Sequence, residues 1–129
     1  MLRRKRQTTN PTVPGGLIAR TEKGDFLVKG GKRFKFVSDR ARDSWKLRII
    51  KTDEFAMRDV KVAGVIGFRD GTLIRDISNH KIYLISEYKK CHVTSPDTLV
   101  GLGFSQKDIL LVSAKESSVH QEGDSLNAI

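Results

Sequence analysis

The sequence predicts a mainly β protein: two tandem small β units, each with a short helix, behind an extended basic N-terminal arm. Three observations predict this. Residues 71–95 hold three short β-favouring runs joined by turn-prone residues, and a related stretch occurs earlier in the chain. Each copy leads into a serine followed by an acidic helix start. The first 14 residues, MLRRKRQTTNPTVP, combine a basic cluster and two prolines with few apolar groups.

The repeat comes first, because a missed period misassigns a fold. Gly15-Gly16-Leu17-Ile18 aligns with Gly71-Thr72-Leu73-Ile74 at an offset of 56. One inserted residue moves the offset to 57, which sets Phe26-Leu27-Val28 on Tyr83-Leu84-Ile85, Lys32-Arg33 on Lys89-Lys90, Phe36 on Val93 and Ser38 on Ser95. At an offset of 62, Ile49-Ile50 meets Leu111-Val112 and Glu54 meets Glu116. The chain therefore divides into an arm (1–14), a first β repeat (15–65), a second β repeat (66–116) and a polar C-terminal tail (117–129). A unit of about 60 residues buries only about 60% of its unfolded surface. The repeat is thus already a hint of assembly.

Taken in order, the arm could reach at most roughly 45 Å if fully extended. It could lie on nucleic-acid phosphates, drape over a neighbouring subunit or stay disordered. Residues 15–37 form the first three-strand unit, with turns at Lys23-Gly24 and Gly30-Gly31; the second turn suits a two-residue hairpin loop with positive φ at both positions. Alternation puts Phe34 and Phe36 on one face of the third strand and Arg33 and Lys35 on the other. Ser38 caps a short helix over 39–46, which Trp45 anchors to the sheet. Residues 48–51 read as a strand, 53–58 as a turn or single helical turn, and 60–68 as a weakly alternating strand. Arg69-Asp70-Gly71 is a turn signal. In the second unit Ser95 is the cap, Pro96 the first helical residue and Asp97 the first-turn acid, with Gly101 and Gly103 ending the helix. A further strand covers 109–113. From Glu116 onward the chain is polar and aperiodic: a loose tail, or one ordered by a partner.

Composition narrows the classes. The single cysteine, Cys91, excludes an intrachain disulfide and fits a reducing compartment. No apolar run approaches the roughly 18 residues of a membrane span. No apolar segment follows the N-terminal arginines, as a secretory signal would require. Residues 1–64 hold 17 Lys/Arg and 7 Asp/Glu, whereas residues 65–129 hold 7 and 8. The basic excess thus belongs to the arm and first repeat, which suits a polyanion or an acidic face on a neighbouring subunit. Arg3, Arg4, Lys5, Arg6, Lys32, Arg33 and Lys35 are the candidate contact residues.

No catalytic constellation emerges. His80, His92 and His120 fall in a turn, a strand and the tail, without metal-ligand spacing to one another or to Cys91. There is no phosphate-binding glycine loop and no nucleophile elbow. The expectation is a non-enzymatic protein with no cofactor, no metal and no catalytic residue.

Phe68 to Arg75, Ile82-Tyr83-Leu84-Ile85, Lys89-Lys90, Ser95 to Leu99, Leu102-Gly103-Phe104 and Val112-Ser113 with Glu116 together resemble a short β-repeat module. Its pattern runs from a DGTLI strand to a VYLI strand, a GKKR turn, a capped helix and a V-S-x-x-E ending. The module is associated with bacterial surface proteins and tailed-phage virion structural proteins. Residues 66–116 match it well. The first half matches loosely, lacking Asp-Gly before Leu17, and Glu87-Tyr88 stands where the pattern favours Asn-Gly. The resemblance implies a structural or binding module. The expected function is a structural component of a tailed-phage virion, in the tail or head-to-tail region and assembled in the host cytoplasm. Its partners would be other virion proteins or copies of itself. The alternative is a module binding a polyanion, either DNA or an anionic cell-wall polymer.

Overall fold

A computed structural model of the chain describes residues 15–127; the arm, with Arg3, Arg4, Lys5 and Arg6, lies outside the described residues. The fold is mainly β, in two compact units that divide between Ile66 and Gly67.

In the first unit, β1 (Leu17–Thr21), β2 (Gly24–Lys29) and β3 (Lys32–Phe36) form an antiparallel meander. Helix α1 (Asp39–Ser44) follows, and β4 (Ile49–Lys51) returns to pair parallel with β1. β5 (Lys61–Ile66) pairs parallel with β3, giving the order β4-β1-β2-β3-β5. Both faces of this sheet are covered. Ile18, Leu27 and Phe36 pack on one face with Trp45, Leu47 and Ile66. Ala19, Val28, Met57 and Val60 pack on the other with Leu17. A strand buried on both sides needs apolar residues in succession, which is why Phe26, Leu27 and Val28 are all buried without alternation.

The second unit repeats the wiring. β6 (Leu73–Asp76), β7 (Ile82–Ser86) and β8 (Lys89–His92) form the meander. Helix α2 (Pro96–Gly101) and a 3₁₀ turn (Gln106–Asp108) then lead to β9 (Ile109–Val112), which pairs parallel with β6. The short α3 (Ala114–Ser118) follows. Leu73, Val93 and Leu99 form the core on the α2 side, with Leu84, Ile109 and Leu126 packed against it. Ile74, Tyr83, Ile85 and Val112 are fully buried as well.

The caps act as the sequence indicates. The Ser38 hydroxyl accepts from the Ala41 N–H and that of Ser95 from the Thr98 N–H, with Pro96 opening α2. Some boundaries and the repeat offset differ. The first hairpin loop is Glu22-Lys23, and Gly24 opens β2 at φ +123°. Helix α1 stops at Ser44, with Trp45 as its cap and Lys46 at φ +51°. Ile18 pairs with Leu27 as Leu73 pairs with Leu84, so the first strands correspond at an offset of 55 rather than 56.

The polar C-terminal segment belongs to the second unit. Glu122 bridges to Lys90 and Leu126 to Val93, both parallel. It lies alongside β8 as β5 lies alongside β3. The approach is close: a side chain at Gly123 would come within 2.9 Å of the Cys91 sulfur. Four or five unpaired polar residues would not form a strand in water, but β8 supplies the template and Leu126 the apolar anchor.

Candidate functional site

Of the basic residues on β3, the structure leaves Lys32 and Lys35 exposed and withdraws Arg33. The alternation is as expected, with Phe34 opposite Leu27 on the α1 face and Arg33 opposite Val28 on the other. That second face is roofed by residues 53–60, so Arg33 is only 7% exposed. Its guanidinium meets Glu54 two-pronged: Nη1 donates to Oε2 and Nη2 to Oε1, both at 2.8 Å. The Thr21 hydroxyl donates to the same Oε2 at 2.6 Å. The Arg33 and Thr21 hydrogen bonds hold the Glu54 carboxyl down at about 2. The Arg33 guanidinium also lies 4.7 Å from the Phe26 ring centre. Arg33 therefore ties the roof to the sheet and is not a polyanion contact.

The second unit builds the same arrangement from different groups. Lys90 occupies the place of Arg33, and its ammonium lies 5.1 Å from the ring centre of Tyr83, the counterpart of Phe26. Lys90 Nζ donates to Ser117 Oγ on α3 at 3.0 Å. The acid has changed sides: Asp76 stands on the first strand where the first unit has Thr21, and the hydroxyl of Ser117 stands where the first unit has Glu54. Burial works to raise the Asp76 carboxyl, but hydrogen bonds from Ser78 and Ser117 win and hold it below the usual range. Glu116, which aligns with Glu54, has another task. Its carboxylate accepts from the Ser113 N–H, while Ser113 Oγ accepts from the Glu116 N–H, closing a capping box on α3.

His120, in the segment whose sequence reads as a polar tail, is 2% exposed. Its Nε2 accepts from the Phe68 N–H at 3.0 Å, so the ring proton sits on Nδ1, which donates to the Tyr88 carbonyl at 2.7 Å. The Tyr88 ring lies 4.3 Å from the imidazole centre to centre, and the Tyr88 hydroxyl accepts from the Gly67 N–H. Burial pushes the imidazole pKa down, outweighing the Tyr88 bond that raises it. Both nitrogens are committed to backbone, so His120 is a structural pin. The signal in the sequence is Gly67: a Cβ there would collide with His120 Nε2.

The accessible features are the sheet edges. β4 exposes Ile49 and Ile50, β5 exposes Val62 and Val65 at 55% and 56%, and β9 exposes Leu110 and Leu111. Each of these strands is the outermost of its sheet. Outer strands carry backbone groups that no neighbouring strand pairs, a template for another strand. Apolar residues on such strands are left there against the usual practice of blunting edges with charge.

Among the described residues no cluster of His, Cys, Asp or Glu could hold a metal ion, and no helix is long and apolar enough to cross a membrane. Cys91 is buried beside β7, and burial pushes its thiol up, away from the reactive thiolate. No family model, no curated protein and no solved structure matches the chain.

Proposed function

We propose that this protein is a non-enzymatic structural component that works through subunit–subunit contacts, and that its setting is the virion of a tailed phage, in the tail or head-to-tail region. The observation that carries the contact role is the set of apolar outer strands, with Val62 and Val65 on β5 the most exposed pair. A neighbouring copy that adds a strand there pairs open backbone groups and removes these valines from water together. The virion setting rests on the resemblance of residues 66–116 to the short β-repeat module. The basic arm, residues 1–14, would add contacts to a neighbouring subunit.

Sedimentation of the full chain tests the contact role. We expect a defined oligomer that persists in high salt, is lost in the V62K/V65K variant and weakens on deletion of residues 1–14, while the melting of the fold is retained. A wild-type chain that is monomeric at every concentration, or an oligomer indifferent to both changes, overturns it.

A second reading keeps the exposed Lys32 and Lys35, with the arm, as a polyanion contact. It requires affinity for a DNA duplex or an anionic polymer that falls steeply with salt as counterions are released. Withdrawal of Arg33 into the Glu54 pair weakens this reading.

A further inference from the structure

Each unit has its own cleft beside its capped helix, and the chemistry of the second differs from that of the first in a way that points to a ligand. In the first unit the cleft is spanned by ion pairs. Arg20 donates to Asp25 through Nε at 2.8 Å and through Nη2 at 2.9 Å. Arg42 on α1 donates to the same carboxylate at 3.0 Å and to Asp39 at 3.2 Å. The cleft answers its own charge.

Strand pairing and helix caps identify the counterparts. Arg20 pairs with Asp25 as Arg75 pairs with Ile82, so Arg75 stands for Arg20 and Ile82 for Asp25. Counted from the capping serines Ser38 and Ser95, Pro96 stands for Asp39 and Leu99 for Arg42. The second unit has kept one of the two arginines, as Arg75, and has replaced the other and both acids by apolar residues. The result is an open cleft of about 290 Å³, at the lower end of small-ligand pockets. Arg75, His80, Lys81 and His92 bring basic groups to it, Ile82, Val93 and Leu99 give it an apolar wall, and no Asp or Glu is among the described residues that line it. Arg75 Nε is buried without a hydrogen-bond partner. An unpaired buried donor on a cation costs free energy unless something accepts from it. In the first unit that acceptor is Asp25.

We infer that the cleft of the second unit binds a small organic anion, with its oxyanion on Arg75 in the place the Asp25 carboxylate holds in the first unit and a short apolar body on Ile82 and Leu99. A carboxylate and a phosphate monoester both present the oxygens that Arg75 needs. The apolar wall favours an organic anion over inorganic phosphate. This site is independent of the strand edges on which the assembly role rests.

The test uses the full ¹⁵N-labelled chain in a chloride buffer, titrated with hexanoate, with hexyl phosphate and with inorganic phosphate. We expect saturable shifts at the Arg75 Nε–H and at the amides of residues 80–82 and 92–95, with either hexyl ligand binding at least 10-fold more tightly than inorganic phosphate. Whichever hexyl ligand binds more tightly identifies the head group. R75Q should lower the affinity at least 10-fold, and I82D, which restores the first unit's acid, should abolish binding. If I82D fails to fold, K81Q, altered at an exposed position, takes its place, with an expected loss of at least 3-fold. Shifts that do not saturate, that spread evenly over the lysines of both units, or that survive R75Q unchanged would overturn the assignment.

Discussion

Arg33 and Lys90 show how one position can do the same work with opposite bookkeeping of charge. Each cation lies over an aromatic ring on the neighbouring strand and reaches a group on the segment that roofs the sheet. The acid sits on the roof in one unit and on the first strand in the other. In the Glu54→Gln variant, Arg33 would stay buried with a neutral partner in place of a carboxylate. A charged hydrogen bond contributes about 1.5–3 kcal/mol, so we expect a loss of about 2 kcal/mol at neutral pH, read from denaturant melts followed by Trp45 fluorescence. The pH dependence has a definite sign. Glu54 titrates near 2 in the fold against an ordinary 4.5, so its contribution is complete above about pH 4.5 and is lost as pH falls toward 2. The variant should therefore show a flatter acid limb than the parent between those values.

At the scale of elements, the two β-hairpins solve one turn in two ways. Gly30 and Gly31 take φ of +61° and +74°, which glycine does at no steric cost. Glu87 and Tyr88 take +51° and +65° in the equivalent turn, a conformation that costs roughly 1–2 kcal/mol per side-chain-bearing residue. The compensation is local. The Asp70 carboxylate accepts from the Glu87 N–H at 3.1 Å and from the Tyr88 N–H at 2.9 Å. The first unit lacks an acid before Leu17 and, with Gly-Gly in its turn, does not need one. We expect Asp70→Ala to destabilise the second unit by about 1–2 kcal/mol through loss of these bonds. Glu87→Gly in the same background should recover part of that loss, since it relieves the strain the carboxylate offsets. Recovery is read as a shift of the thermal midpoint. An equal midpoint for D70A and the double variant would separate Asp70 from the turn.

For the whole molecule, the two units carry separate cores and separate reporters. The single tryptophan, Trp45, lies in the first unit and both tyrosines, Tyr83 and Tyr88, in the second. They also carry different acid sensitivities. His120 is held neutral with a pKa below its ordinary 6.5. A depressed histidine contributes stability that is complete above about pH 6.5 and is lost as pH falls through the folded value, because the unfolded chain takes up the proton first. Protonation would also put a proton on Nε2, where the Phe68 N–H now donates. Asp25, held low first by the Arg20 hydrogen bond, and Glu54 act only in the carboxylate range. Acidification from pH 7 to 5 should therefore lower the amide protection factors, exchange rates corrected for the intrinsic pH dependence, in β6, β7 and β8 while leaving those of β1, β2 and β3 nearly unchanged. H120N should lose the pH dependence and be less stable at pH 7.

Much of this plan is written locally. The repeat, the two serine caps, the Gly-Gly turn and the three-strand meanders follow from residue types whose backbone preferences and hydrogen-bonding reach act within four residues, and these were legible. The facing of Phe34 and Arg33 was legible too, since it depends only on the pleat. What the chain alone could not decide was the fate of each face. Both faces of each sheet are covered, so exposure no longer follows from alternation, and Arg33 went inside although it reads as a surface cation. His120, Asp70 and the C-terminal segment were illegible for a related reason. Their partners, Phe68, Tyr88 and β8, lie roughly 20–50 residues away in sequence. Local pattern determined the elements. Only tertiary contact decided which polar groups would be satisfied from within and which, like the Arg75 Nε, would be buried without a partner.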